Sequence, residues 1–173
     1  PSIILAAPQV IQWGPSRSTF DYADGTSYGS LVGPTFNSFT NSPNYGDERN
    51  FVGVDRNDSA VWDKSVGVEP GDIIRVRVYV HNNANPSTNG DSFEGIGVAR
   101  NARVRVYIPS EEGNTINVAG YLSADNAAPR RVFNTAEITS DQLIRLSYIP
   151  GSAVIYNYGP YKNGGPVSDD IAG

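Results

Sequence analysis

The chain has no cysteine, no methionine and a single histidine among its 173 residues. Without cysteine it can form no disulfide, no thiolate metal site and no cysteine nucleophile. Leucine is scarce at five residues, whereas there are 18 glycines and 12 prolines, a composition that excludes a coiled coil. No apolar run reaches the ~20 residues that a membrane-spanning helix needs, so we expect no membrane insertion.

Positive charge is also in short supply. Acidic residues outnumber basic ones 18 to 13, for a net charge of -5. A surface of that sign repels phosphate, so nucleic acid is not an expected partner. The chain begins with Pro1 rather than Met, which predicts either a mature form after removal of a leader or a segment cut from a longer chain.

Residues that suit a pleated sheet are abundant, with 17 valines and 10 tyrosines. Apolar and polar side chains alternate through 73–81 and again through 103–108, the period of a half-buried strand. Further strand candidates are 51–54, 116–122, 131–133, 143–148 and 153–158, and a short helical turn is expected near Ser140. About eight short strands predict an all-β fold of two sheets packed as a sandwich.

The N-terminal third has a different character. Residues 2–13 are apolar and predict one edge strand. Residues 14–50 are rich in small polar residues, yet aromatic side chains recur through them, which predicts an ordered, loop-rich segment rather than a disordered linker. These aromatics are Phe20, Tyr22, Tyr28, Phe36, Phe39 and Tyr45. We therefore divide the chain into an N-terminal extension, 1–50, packed on a β-sandwich core, 51–173.

Four motifs follow one another in a recognisable order. Pro70-Gly71-Asp72 leads into a strand, 81–83 ends it with asparagines, 99–109 forms a strand ending in proline, and Pro150-Gly151-Ser152 forms a late turn. In this order they resemble the immunoglobulin-like repeat domain of unknown function found on bacterial and archaeal cell-surface and secreted proteins. The resemblance implies an immunoglobulin-like sandwich in an exported structural or adhesive module at the cell surface or outside the cell. It implies no catalytic residues.

Catalysis and cofactor binding find no support in the sequence. The single imidazole, His81, lies at the polar end of a strand and is not accompanied by a nucleophile-elbow motif. Gly95 and Gly97 do not open a helix, as a dinucleotide loop would require. The sequence predicts a protein that is not an enzyme and has no cofactor.

The sequence raises two further possibilities, a calcium site and an internal isopeptide bond. A loop carries four oxygen-bearing side chains that could bind calcium without matching a helix-loop-helix site. They are Asp55, Asn57, Asp58 and Asp63. An isopeptide bond between a lysine and an asparagine is disfavoured, because the two lysines, Lys64 and Lys162, belong to a residue type that is rarely buried.

We therefore expect the function to depend on binding through exposed surfaces. Ile3, Ile4 and Leu5 belong to an apolar strand that could add to the sheet of a second copy, giving a filament or surface layer. Arg75 and Arg77 are expected on one outward face together with Arg103 and Arg105, where a partner could dock. Another interpretation is adhesion to glycans through exposed aromatic rings, with Trp13 and Trp62 either stacking on sugars or filling the core. The tyrosines that would serve it are Tyr156, Tyr158 and Tyr161.

Overall fold

The computed structural model describes residues 12–22, 29–59 and 61–173, and most of their regular structure is β-strand. The strands are β1 (Trp13–Gly14), β2 (Val52–Arg56), β3 (Ser65–Gly67), β4 (Ile74–Val78), β5 (Arg103–Tyr107), β6 (Gly113–Ser123), β7 (Arg131–Ile144), β8 (Val154–Ile155) and β9 (Gly165–Pro166). Short 3-10 turns lie at Glu48–Asn50, Pro86–Thr88 and Asp169–Ile171. In these ranges no helix has the length and hydrophobicity to cross a membrane. The all-β prediction is confirmed.

The strands form one large sheet and two small ones. In the large sheet, β6 pairs antiparallel with both β5 and β7, while β1 and β3 pair with different parts of β7. The β3–β7 pair is parallel and the other pairs are antiparallel. β2 and β4 form an antiparallel pair of their own, as do β8 and β9.

The core lies between the large sheet and the β2–β4 pair. Every second residue is buried through 116–122 of β6 and 132–138 of β7, as expected for strands with one face on a core. These side chains meet Val52 and Val54 of β2, both fully buried. At Gly120 of β6 a β-carbon would lie only 2.6 Å from Val52 Cγ2 and 3.0 Å from Val78 Cγ2. The absence of a side chain at Gly120 therefore sets how closely the two layers approach.

Aromatic contacts connect the described part of the N-terminal extension to the rest of the protein. Phe36 is buried in the core cluster. The Phe39 ring contacts those of Phe20, Tyr22 and His81, while Tyr45 stacks on Tyr79 with ring centroids 4.2 Å apart. Tyr28 and the apolar segment 1–11 lie outside the described residues, and a domain boundary at residue 50 stays a prediction.

The motif turns have the expected backbone. Gly71 has φ +96°, and Asp72 N donates to Glu69 O at 3.1 Å. Gly151 has φ +74°, and Ser152 N donates to Ile149 O at 3.2 Å. Both glycines occupy a region that other residues rarely adopt, so the sequence located these two chain reversals correctly.

Several predictions of secondary structure were wrong, most of them in the C-terminal third. β7 runs for 14 residues rather than three, and it continues through Ser140, where a helical turn was expected. Pairing between Gly113 and Ile144 across a register shift extends the strand there. The predicted strand 143–148 has no ladder beyond Ile144, and only 154–155 of the predicted strand 153–158 is paired. The strand β3 was missed.

The expected single arginine face is also wrong. Arg75 and Arg77 lie on β4, whereas Arg103 and Arg105 lie on β5 in the large sheet. All four alternate with valines, but the two strands belong to different layers. The alternation predicts which side chains point outward from each sheet, and it carries no information about which sheet a strand joins.

Candidate functional site on the outer face of the β2–β4 pair

Arg75 and Arg77 project from the same face of β4 because they are two residues apart in a strand. The Trp62 ring lies across both guanidinium groups, with its centroid 5.1 Å from Arg75 Cζ and 4.8 Å from Arg77 Cζ. Cation–π contacts of this kind stabilise by ~0.5–1 kcal/mol at exposed sites. Trp62 is thus held on the surface of the β2–β4 pair instead of filling the core.

Arg75 is neutralised by carboxylates. It forms ion pairs with Asp55, which is 1% exposed, and with Asp58. Hydrogen bonding to Asp55 raises the pKa of Arg75 above its ordinary value. Two of the four calcium candidates therefore serve as counter-ions to an arginine.

The other two calcium candidates lie elsewhere. Asp63 pairs with Val54 on the outer edge of β2, and Asn57 takes a positive φ in the turn after that strand. Within 12–22, 29–59 and 61–173, no group of three or more histidine or acidic side chains could hold a metal ion. The calcium hypothesis gains no support from this arrangement.

Arg77 differs from Arg75 in its partners. Its guanidinium lies between two aromatic rings, 4.8 Å from the Trp62 centroid and 5.3 Å from that of Tyr45. No carboxylate of the described residues forms a salt bridge with it, and its Nε atom is buried without a hydrogen-bond partner. Burial raises the pKa of Tyr45, although Arg77 opposes that shift.

Lys64 approaches the same place from the loop before β3. Its Nζ donates to Asn50 O at 3.0 Å, to Asn134 Oδ1 at 2.6 Å and to Val52 O. Burial, with a further contribution from Arg77, lowers the pKa of Lys64 to about 8. Arg77 thus lies close enough to Lys64 to disfavour the charge of its ammonium group.

A pocket of about 310 Å³ opens between these groups. Its walls include Tyr45, Trp62, Lys64 and Arg77, together with Asn44 and Asn50. Asp47 also lines it, but its carboxylate is bound by Arg49, with Nη2 to Oδ2 at 2.6 Å. Burial acts to raise the pKa of Asp47, and the hydrogen bonds and charge of Arg49 outweigh that effect and lower it.

Trp13 lies at the edge of the large sheet, where its ring contacts two arginines. It is 36% exposed, and its ring lies 4.4 Å from Arg49 Cζ and 5.7 Å from Arg17 Cζ. Burial, followed by repulsion from Arg49, lowers the pKa of Arg17 to about 10. Neither tryptophan fills the core, so that interpretation was wrong for both.

The three candidate tyrosines lie on the C-terminal hairpin formed by β8 and β9. Tyr158 is fully exposed, Tyr156 is 67% exposed and Tyr161 is 44% exposed. The Tyr161 ring packs over Gly165, and that of Tyr156 over Gly164. Tyr156 lies near enough to Arg75 to contribute to the raised pKa of that arginine. The structure therefore brings together only some of the residues that were predicted to bind a partner. Ile3, Ile4 and Leu5 lie outside the described residues.

His81 belongs to a buried polar cluster that sequence reasoning missed. Its Nδ1 lies 2.8 Å from Oε1 of Glu48, a fully buried carboxylate. Asn83 Nδ2 donates to Glu48 Oε2 at 3.0 Å, and Asn83 Oδ1 accepts from Ser38 N at 2.6 Å. In the part of the chain that is described, no serine or threonine hydroxyl hydrogen-bonds to the imidazole. The cluster ties the N-terminal extension to the end of β4. Glu48 lies between Asp47 and Arg49 in a polar stretch, so no local pattern signalled that its carboxylate would be buried.

Lys64 also lies beside an asparagine, the arrangement from which isopeptide bonds form. Asn134 is fully buried in β7, and its Oδ1 also accepts from Val52 N at 2.9 Å. No described carboxylate forms a salt bridge with Lys64. The hydrogen bonds from Lys64 to three oxygens make it a structural ammonium group at the edge of the core.

No protein-family model, curated protein or solved structure matches this chain.

Proposed function

We propose that the chain is a non-enzymatic structural module, outside the cell or on its surface, that assembles with copies of itself by strand addition. The observation that carries this proposal is the unpaired outer edge of β4. Among the described residues β4 pairs only with β2. An edge of this kind presents free backbone donors and acceptors to another chain.

The hydrogen-bond pattern identifies the free groups. Tyr79 N donates to Phe51 O and Asn57 N to Ile73 O, so the odd-numbered residues of β4 face β2. The backbone groups of Ile74, Val76 and Val78 point the other way, and no described backbone group bonds to them. Their side chains are only half-buried. An added strand would hydrogen-bond to these backbone groups and would also cover the half-buried aliphatic side chains.

In the two layers that enclose the core, the other edges are better covered. Val54 and Asp63 exchange backbone hydrogen bonds of 2.9 and 3.0 Å along the outer edge of β2. β1 and β3 cover β7, and Gly173 N donates to Val106 O on β5 at 3.1 Å. The edge of β4 is therefore the favoured place for addition.

The proposed donor is the apolar segment 3–7 of a second copy. It has five residues before Pro8, which lacks an N–H, and β4 also has five residues. Strand donation of this kind uses backbone hydrogen bonds for affinity and alternate side chains for specificity. We further propose that the two packed layers form an immunoglobulin-like sandwich completed by the added strand, as the surface-protein resemblance of the motifs implies.

Two single substitutions in the full chain test the donor. Ile4→Lys and Leu5→Lys place a charge on opposite faces of the segment, so one of them must direct the charge toward the core side of the β2–β4 layer. We expect the wild type to sediment as oligomers at high concentration and to show fibres in electron micrographs, and one of the two variants to remain monomeric. Gln9→Lys adds the same charge at a polar position and should assemble like the wild type.

Amide exchange tests the acceptor. Assembly should slow exchange at Ile74, Val76 and Val78 and leave the amides that already face β2 unchanged. A wild type that stays monomeric, assembly of both lysine variants at wild-type concentrations, or unchanged exchange along β4 would each contradict strand addition.

A further inference from the structure

We propose that the pocket between Tyr45, Trp62 and Arg77 binds a uronic acid, with its carboxylate on Arg77 and its hydroxyls on the neighbouring asparagines. This site is separate from the proposed assembly edge, because it uses side chains on the outer face of the β2–β4 pair rather than backbone groups. It also differs from the exposed tyrosines of the C-terminal hairpin.

The first argument is unbalanced charge. Arg49, Arg56 and Arg75 each form an ion pair with an aspartate. Arg77 and Lys64 form none with any described carboxylate, and both line one pocket. A bound anion would offset the repulsion between them. Lys64 would contribute charge rather than a hydrogen bond, since its ammonium group already donates to three oxygens.

The second argument is the fixed orientation of the guanidinium. Trp62 and Tyr45 hold Arg77 between their rings, and Tyr45 is itself stacked on Tyr79. The Arg77 side chain is therefore already ordered before a ligand binds, so binding loses little further side-chain entropy. A planar guanidinium held in this way suits the two oxygens of a carboxylate, which it can bind with paired hydrogen bonds.

The third argument concerns the rest of the lining. Asn44 and Asn50 line the pocket, and their side-chain amides form no hydrogen bond with the described residues. Amides and aromatic rings together suit hydroxyl groups and the apolar faces of a sugar. A sugar acid presents hydroxyls for the amides and an apolar ring face for the aromatic groups beside its carboxylate, so the lining favours a sugar acid over a peptide carboxylate.

The size of the pocket limits the ligand to one ring. A volume of about 310 Å³ is at the lower end of small-molecule sites. Gly53 lies at its base, where a β-carbon would lie 3.4 Å from Trp62 Cβ and 3.7 Å from Arg77 Nη2. Glycine at this position keeps space open beside the guanidinium.

The test is a titration of the full chain with D-galacturonate, followed by amide chemical shifts, with D-galactose as the neutral match and acetate as the bare carboxylate. We expect saturable shifts around Arg77 with galacturonate and at least about tenfold weaker binding of the other two. Arg77→Gln should weaken galacturonate binding about 10- to 100-fold, the range for a lost charged hydrogen bond. Arg145→Gln, an exposed arginine paired with Glu112, removes the same charge and should have no effect.

A second variant protects the test against misfolding of Arg77→Gln. Gly53→Ala adds one methyl group at ordinary contact distance and narrows the pocket while leaving both cations in place, so it should weaken galacturonate binding in a folded protein. Equal binding of acetate and galacturonate would overturn sugar recognition. Equal binding of galactose and galacturonate would overturn the role of charge, and an absence of saturable shifts would overturn the site. None of these results bears on assembly through β4.

Discussion

Replacing Gly120 with alanine should destabilise the protein, because this glycine lies where the two layers approach most closely. Its partner in β7 is Asn134, and the methyl group of an alanine would lie 2.6 Å from Val52 Cγ2 and 3.0 Å from Val78 Cγ2. Carbon atoms pack at about 3.5–4.0 Å. Both neighbours are β-branched residues with little rotamer freedom, so the β2–β4 pair must shift outward.

The magnitude follows from two opposing effects. Overpacking a core by a methyl group costs about 1–3 kcal/mol. Removing a glycine from the unfolded chain stabilises the folded state by about 0.4–1 kcal/mol. With the middle of each range, the expected net loss in the free energy of unfolding is about 1.3 kcal/mol.

Urea unfolding at 25 °C measures this loss, with Gly67→Ala as a matched control. Gly67 lies in β3, where a β-carbon would meet only Thr139 Oγ1 at 4.0 Å, so its replacement should be neutral or slightly stabilising. Val52→Ala should be less costly in the Gly120→Ala background than in the wild type, since it removes the clashing methyl group. A Gly120→Ala protein as stable as the wild type, with an unchanged denaturant slope, would refute the close approach of the two layers.

Two further predictions concern the lysine at the edge of the core. Asn134→Ala removes the acceptor of the Val52 N–H and one of three acceptors of the Lys64 ammonium, and urea unfolding should show a loss of about 1–3 kcal/mol, the cost of leaving the buried Val52 N–H unsatisfied. The pKa of Lys64 is lowered to about 8 in the folded state from an ordinary value of 10.5, so between pH 8 and 10.5 the unfolded chain holds more protons. The free energy of unfolding of the wild type should therefore rise with pH across that window relative to that of Lys64→Gln, which has no ionisable group at this position. A wild-type free energy that stays level or falls relative to that of Lys64→Gln would contradict the lowered pKa.

The alternation of apolar and polar residues was sufficient to predict the strands that have one apolar and one polar face. β4 and β5 alternate valine with arginine, and both were found within two or three residues of their true ends. The turns at Gly71 and Gly151 were also found, since proline and glycine there restrict the chain in ways that no tertiary contact alters.

Elements that depend on a distant partner were not predictable in this way. β3 has three residues and exists because it pairs in parallel with β7, some 70 positions further along the chain. The second half of β7 carries polar residues typical of turns, and its strand conformation comes from pairing with β6. Such tertiary effects override local propensity.

The candidate pocket illustrates the same limit. The sequence singled out Arg77 for its position on an outward face, and Trp62 for its ring, but gave no reason to place them together. Lys64 was considered only as a crosslinking residue. Asn44, Tyr45 and Asn50 come from the N-terminal extension and reach the pocket because the Glu48 cluster and the Tyr45–Tyr79 stack fix that extension on β4.

The two proposed surfaces use one strand in two different ways. β4 offers its even-numbered backbone groups at the open edge and its odd-numbered side chains on the outer face. A strand added at the edge would cover the first set and leave Arg77, which is held between Trp62 and Tyr45, accessible from the other direction. If both proposals hold, an assembled filament would display one uronate pocket per subunit, and assembly should change the affinity for galacturonate per subunit by less than about twofold, well under the range of allosteric coupling. Loss of galacturonate binding on assembly would mean that the added strand reaches the outer face, and the donor segment would then have to be placed differently along β4.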